Sequence, residues 1–257
     1  MYTAGIDIGL ENIKIVILKD ASVAASLTAP SGGKERGKRA EALYDEALLR
    51  AGVSRNGIHR TLATGAGKFD ADFADGNIVE EIADAAAARY FLKDASAAVD
   101  IGADQTRVVS IGADGAVTET VRNQKCMAGL GLALEYMAER LDFSIEEISL
   151  IPPERAEGVT VNDGCPVFAE LDALELLNIG VPRDAVAGAV TRMTVVRLNS
   201  VLRDKDFPDR NRTVLTGGVA KNRAVTDALK ALSGIDFVIP ESPEYGTALG
   251  AALKAAD

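Results

Sequence analysis

Histidine and cysteine are nearly absent. The 257 residues contain one of the first, His59, and two of the second, Cys126 and Cys165. One imidazole leaves almost no room for a zinc centre built on histidines or for a Ser-His-Asp hydrolase. His59 stands before the apolar run Leu62-Ala63 and is expected at the surface near a strand start. Two cysteines are too few for a stapled secreted scaffold. No run approaches the roughly 20 apolar residues of a membrane helix. Basic residues are outnumbered, 28 against 38 acidic ones, for a net charge of −10. That argues against nucleic acid or a membrane as the main partner, because both are gripped through clustered Lys and Arg. Low-complexity stretches and flexible linkers are missing as well. What is there is a 47% hydrophobic chain, enough for a real core. It opens directly on an alternating strand without a basic leader, so a cytoplasmic protein is expected.

Periodicity alternates between strand and helix. Ala4 and Ile6 start a short apolar run, Gly9 to Asn12 make a turn, and Ile13, Ile15 and Ile17 alternate as the returning strand. Helical spacing covers 35–49 and 79–92. Strands are expected at 60–64, 107–111 and 117–121, the last pair joined by the Asp114-Gly115 turn. Helices follow at 130–141, 167–177 and 183–203. A strand at 213–216 meets Gly217-Gly218 and a helix reaching Leu232. A last strand at 237–239 and a helix at 248–255 close the chain. Such alternation predicts an α/β fold.

The opening pattern returns. Thr3-Ala4-Gly5-Ile6-Asp7-Ile8-Gly9 is echoed by Ser96-Ala97-Ala98-Val99-Asp100-Ile101-Gly102, and a basic residue, Lys14 or Arg107, follows seven positions after each aspartate. A repeat of about 93 residues predicts two lobes of related topology.

Each Asp-x-Gly ends a strand at a glycine turn. Glycine lets backbone N–H groups come close to a polyphosphate, and a carboxylate suits Mg²⁺, a hard cation that takes oxygen ligands. Two such hairpins facing each other would clamp phosphates from both sides. The first offers Asp7, Gly9, Leu10, Glu11 and Asn12; the second offers Asp100, Gly102, Ala103, Asp104 and Gln105. A third element, Leu215-Thr216-Gly217-Gly218-Val219-Ala220-Lys221-Asn222, breaks a strand just before a helix, where a base or ribose could lie against Gly217, Gly218 and Asn222. A fourth, Glu244-Tyr245-Gly246-Thr247-Ala248-Leu249-Gly250-Ala251-Ala252, starts a helix with residues small enough for close helix contact. In order and spacing the four resemble the sugar kinase, actin and heat-shock chaperone ATPases. The resemblance implies a two-lobed actin-like fold of duplicated ribonuclease H-like lobes, with ATP or ADP and Mg²⁺ in the cleft between them. The lobes would be residues 1–95 with 244–257, and 96–243.

Each cysteine precedes a helical stretch, where the helix dipole favours thiolate and would favour a negatively charged metal cluster. Inert thiols, a disulfide and metal ligation all remain open on the residues alone. The segments Lys125-Cys126-Met127-Ala128-Gly129-Leu130-Gly131 and Cys165-Pro166-Val167-Phe168-Ala169-Glu170 resemble those of the ATPases that activate 2-hydroxyacyl-CoA dehydratases or serve benzoyl-CoA reductase. The resemblance implies that Cys126 and Cys165 supply half of one 4Fe–4S cluster per dimer. The second half would come from an identical or homologous ATPase subunit. ATP hydrolysis would then drive electrons from a donor such as ferredoxin to an acyl-CoA reductase or dehydratase partner. In that setting Asp7 and Asp100 organise Mg²⁺ and water, with Asp104 and Gln105 beside them. Three segments depart from the family pattern: Leu10-Glu11 replaces the usual Ser-Thr, Ala103-Asp104-Gln105 the usual Gly-Gln-Asp, and Ala66-Gly67-Lys68 the usual Tyr-Gly-Arg. The first two lean toward a benzoyl-CoA reductase ATPase subunit rather than a homodimeric activator. A small-molecule kinase of the same superfamily is the further alternative.

Overall fold

The computed structural model describes residues 1–123, 130–203 and 211–257. The first sheet is built from β1 (Tyr2–Ile8), β2 (Asn12–Lys19), β3 (Ser22–Pro30), β4 (Ile58–Thr64) and β5 (Gly76–Asn77), with α1 (Arg36–Ala51) between β3 and β4. Its order is β3-β2-β1-β4-β5. The chain then runs through α2 (Glu80–Phe91) into the second sheet: β6 (Ala97–Ile101), β7 (Thr106–Ile111) and β8 (Val117–Arg122). Helices α3 (Leu130–Arg140), α4 (Ile145–Ile148), α5 (Pro166–Asn178) and α6 (Arg183–Arg203) come next. β9 (Thr213–Thr216), α7 (Arg223–Ser233) and α8 (Gly246–Lys254) follow. The second sheet has the order β8-β7-β6-β9. In each sheet the first two strands pair antiparallel, and the first strand also pairs in parallel with a strand reached through helices.

The alternation in β2 explains how the first sheet is covered on both faces. Ile13, Ile15 and Ile17 turn to one side and pack with Ala40, Leu43, Tyr44, Ala47 and Leu48 of α1. Val16 and Leu18 turn to the other and pack with Ala248, Leu249 and Ala252 of α8. In the second sheet Val99, Ile101 and Val108 join a core made with α3, α5, α6 and α7, whereas Ala98, Val109 and Ile111 pack on Ala85 and Ala88 of α2. Thus α8 belongs to one sheet and α2 to the other, and the two helices cross. Small residues allow the approach. A Cβ on Gly250 would run into the carbonyl oxygen of Ala83, and one on Gly5 into that of Ala248. The result is the two-lobed actin-like ATPase fold.

Leu130, Leu134, Met137 and Leu141 are all buried, as their shared face predicted, and His59 is exposed as the second residue of β4. Several features differ from the sequence reading, among them the short β5 and α4, which had no signal in it. β3 was not foreseen, because Ser22–Pro30 buries only Ala25 and Leu27. Residues 237–239 form no strand; Val238 makes a single bridge to Val214. After Gly217 the chain makes a 3-10 turn, Gly218–Lys221, and α7 begins only after Asn222, whose Oδ1 caps it by accepting from Val225 N at 2.9 Å. Among the described residues no helix is long and apolar enough to cross a membrane.

Candidate nucleotide cleft

The two Asp-x-Gly hairpins share one geometry. Gly9 N donates to Asn12 O at 3.0 Å, and Gly102 N donates to Gln105 O at 2.9 Å, closing the same four-residue turn. Asp7 lies opposite Lys14 on the antiparallel side and Thr64 on the parallel side. Asp100 lies opposite Arg107 and Thr216 in the same way. Each threonine is followed by a glycine at positive φ, 86° at Gly65 and 92° at Gly217. A Cβ would strike Asp7 and Ile8 at the first and Ile101 at the second. Both aspartates therefore sit in cradles that only glycine completes.

These turns line one cleft of about 560 Å³. Asp7, Gly9, Leu10, Glu11 and Asn12 come from the first lobe, and Asp100, Gly102, Ala103, Asp104 and Gln105 from the second. Gly217, Gly218 and Asn222 lie on the same wall. All thirteen residues singled out around phosphate chemistry are brought together. The volume lies in the usual range of a small-molecule site, and carboxylates of both lobes face it, as a phosphate-bound Mg²⁺ would need. Leu10 projects into the cleft with 47% of its surface exposed. Gln105 is held by Arg122, which donates to its Oε1 at 3.1 Å.

The two aspartates differ in their cationic partners. Lys14 Nζ is 3.2 Å from Asp7 Oδ2 and also lines the cleft. Burial works against its ammonium, yet the neighbouring Asp7, helped by Asp100, holds its pKa above the ordinary value. Asp100 accepts from Arg107 Nη2 at 2.7 Å and from Thr216 Oγ1 at 3.1 Å. Arg107 also binds Asp84 and Glu80 of α2. The carboxyl of Asp84 is buried and pushed up to about 7, chiefly by burial; Arg107 pulls against that shift and Asp100 adds to it. Asp84 and Glu80 were missed, since nothing local marks them, and Thr247 was marked only as part of the small-residue helix start. Lys14 and Arg107 were marked only as members of the repeat.

Cys165 is the N-cap residue of α5, half-buried, with Pro166 opening the helix. Its N–H and that of Gly164 both donate to Asn162 Oδ1 at 2.9 Å, which fixes the turn. Beside it α5 presents Val167, Phe168 and Leu171 to solvent, each more than half exposed. Cys126 lies outside the described residues. Among those described, no three His, Cys, Asp or Glu side chains gather as a metal site. A thiol at the dipole-positive end of a 13-residue helix is a sound ligand for an anionic cluster, but one such thiol is a fraction of the four that a 4Fe–4S centre takes.

A sequence model of the BadF/BadG/BcrA/BcrD ATPase family matches residues 4–255. The chain belongs to this family. An activator of lactoyl-CoA dehydratase from Anaerotignum propionicum is 32% identical over 257 residues, covering 99% of this chain and 97% of the relative. The solved activator of 2-hydroxyisocaproyl-CoA dehydratase from Clostridium difficile, with bound ADPNP, has a TM-score of 0.86 at 27% identity. That match covers 99% of this chain and 94% of that one. A benzoyl-CoA reductase subunit from Thauera aromatica is 28% identical over 262 residues, covering 98% of this chain and 92% of the relative. Leu10 and Ala103 had pointed to the reductase branch. Within the family the balance of similarity falls instead toward the dehydratase activators, because two loop substitutions weigh less than identity spread along the whole chain.

Proposed function

We propose that this protein is an ATP-driven activator of a 2-hydroxyacyl-CoA dehydratase, working as a dimer that passes low-potential electrons to that partner. The observation that carries the reading is the paired hairpin: two Asp-x-Gly turns of identical hydrogen bonding, opposed across one cleft, in a chain that superposes end to end on an ADPNP-bound activator. The lobes are assigned as residues 1–95 with 244–257, and 96–243. Gly9, Asn12, Gly102 and Ala103 present backbone to the phosphates. Asp7 and Asp100 organise Mg²⁺ and the attacking water, with Asp104 at the rim. Lys14 offers the phosphates the N–H groups that Asp7 leaves unused. Gly217, Gly218 and Asn222 flank the nucleoside.

Cys126 and Cys165 are assigned as ligands to a cluster shared with a second copy of the chain. When bound, a 4Fe–4S cluster supplies one-electron chemistry at low potential. The role of this chain is to set its surroundings. The N-terminus of α5 favours negative charge at Cys165, and the exposed Val167, Phe168 and Leu171 exclude water once a second copy covers them. Ferredoxin is the proposed class of donor. Leu10 and Glu11 support a second reading, in which the chain pairs with an unlike, more active sister subunit, as in a benzoyl-CoA reductase system.

Anaerobically purified wild type, Cys126→Ser and Cys165→Ser are compared for iron, acid-labile sulfide and ATP turnover. The activator reading expects a brown homodimer with one cluster per two chains, lost in both variants, and ATP turnover by the wild-type chain alone. Colourless, iron-free wild type would sink it in favour of a small-molecule kinase. A cluster that forms only with an unlike subunit would favour the second reading.

A further inference from the structure

We infer that Arg107 is a positioning residue that ties Asp100, in the cleft, to the crossing of α2 and α8 where the two lobes meet. The inference rests on the reading of the cleft as an ATP·Mg²⁺ site. Arg107 lies on β7 with its side chain 7% exposed. Nη2 donates to Asp100 Oδ1 at 2.7 Å, Nε to Asp84 Oδ2 at 2.8 Å and Nη1 to Glu80 Oε1 at 2.9 Å. Nη2 has two further acceptors at longer range, Thr247 Oγ1 at 3.3 Å and Asp84 Oδ1 at 3.5 Å. Thr247 in turn donates to Asp84 Oδ1 at 2.8 Å. One planar guanidinium thus joins β6, α2 and α8. Asp84 follows Ala83, the residue against which Gly250 packs, so the anchor lies beside the tightest point of the crossing.

The two long contacts provide slack. A cation that draws Asp100 into the cleft weakens its bond to Nη2. A buried donor left without an acceptor is costly, and the acceptors at hand are Thr247 and Asp84. Nη2 can shorten onto them only if α8 or α2 shifts. The first lobe lacks this link: Lys14 bonds Asp7 and otherwise faces the cleft. Lysine at position 107 would not replace the fork, because a single ammonium cannot span acceptors on three elements in one plane.

The test compares wild type, Arg107→Lys and Thr247→Val by hydrogen–deuterium exchange over 80–91 and 246–254, with and without ADPNP·Mg²⁺, together with the kcat and KM of ATP turnover. In wild type, exchange in both helices should change when ADPNP·Mg²⁺ binds. Arg107→Lys should bind ADPNP within about threefold of wild type, lose most of that change, and turn over ATP about tenfold more slowly with KM little altered. Thr247→Val removes only the hydroxyl link and should blunt the change in α8. It carries the test if Arg107→Lys does not fold. Wild-type exchange responses and kcat in the folded variants would overturn the inference alone. Failure of wild type to bind ADPNP·Mg²⁺ would overturn the reading of the cleft and the inference with it.

Discussion

Asp7 lies directly across the β1–β2 ladder from Lys14, with Lys14 Nζ 3.2 Å from Asp7 Oδ2. The side chain of Lys14 keeps 21% of its surface, on the cleft side. An ammonium has three donors, and one is spent on Asp7. Lys14→Met should therefore act on chemistry more than on folding. The expected loss is about a hundredfold in ATP turnover, comparable to removing one stabiliser of transition-state charge. Thermal unfolding should move by only a few degrees. Turnover near wild type in a folded Lys14→Met protein would remove Lys14 from the site.

Gly250 sets the distance between the lobes' central helices. A methyl there meets the backbone oxygen of Ala83, which cannot swing aside as a flexible side chain could. Gly250→Ala should cost about 3 kcal/mol, the upper part of the range for overpacking. Equilibrium unfolding in urea measures it. A neutral or stabilising result would mean that the helices separate freely, contrary to the close packing of Gly250 on Ala83.

Asp84 makes stability depend on pH. Its carboxyl is pushed up to about 7 from an ordinary 3.8, with burial the largest cause. It faces Glu80 on its own helix, Asp100 on β6, Arg107 on β7 and Thr247 on α8, while Glu81 turns to Arg122 of β8. Between those two pH values the folded protein holds a proton that the unfolded chain has released. The stability from this group is present in full below the lower value and lost as pH rises through the upper one. Asparagine does not titrate. Asp84→Asn should therefore gain on wild type as pH climbs from about 4 to about 7, and the difference should be flat above that range. Parallel stability profiles for the two proteins would show that Asp84 is ionised throughout.

Leu171 is 55% exposed beside Phe168 on the face of α5 that follows Cys165. A charge placed there would have to be desolvated when a second copy covers the face. Leu171→Asp should convert a dimer into a monomer in analytical ultracentrifugation and lower iron content in parallel, with little change in monomer unfolding because the site is at the surface. Dimers that persist at micromolar concentration would move the interface elsewhere.

Much of this architecture was legible before any coordinates. A short strand, an aspartate and a glycine are a local string. When that string recurs with a basic residue at the same offset, both the duplication and the chemistry can be read directly. Helices such as Arg183–Arg203 were equally plain, because helical periodicity is a property of neighbours in sequence. The second half of the duplication was hidden. Asp7 and Asp100 are 93 positions apart, but their parallel partners Thr64 and Thr216 are 152 apart, because helices α3 to α6 are inserted before β9. No fixed period reveals that correspondence; strand register does. The triad of carboxylates on Arg107 was likewise invisible. Glu80 and Asp84 read as ordinary polar positions on an alanine-rich helix until folding buries Asp84 and sets Glu80 against Arg107 at the edge of the cleft. The repeated turns and the elements that carry them follow from the order of residues alone, since they depend on local conformational preference and alternation. Which aspartate is tied to the lobe crossing, and which faces the cleft beside a lysine with donors to spare, was settled only in three dimensions. That difference arises from long-range packing, which brings Asp84 and Glu80 of α2 and Thr247 of α8 to Arg107 beside Asp100 but leaves Lys14, beside Asp7, facing the cleft.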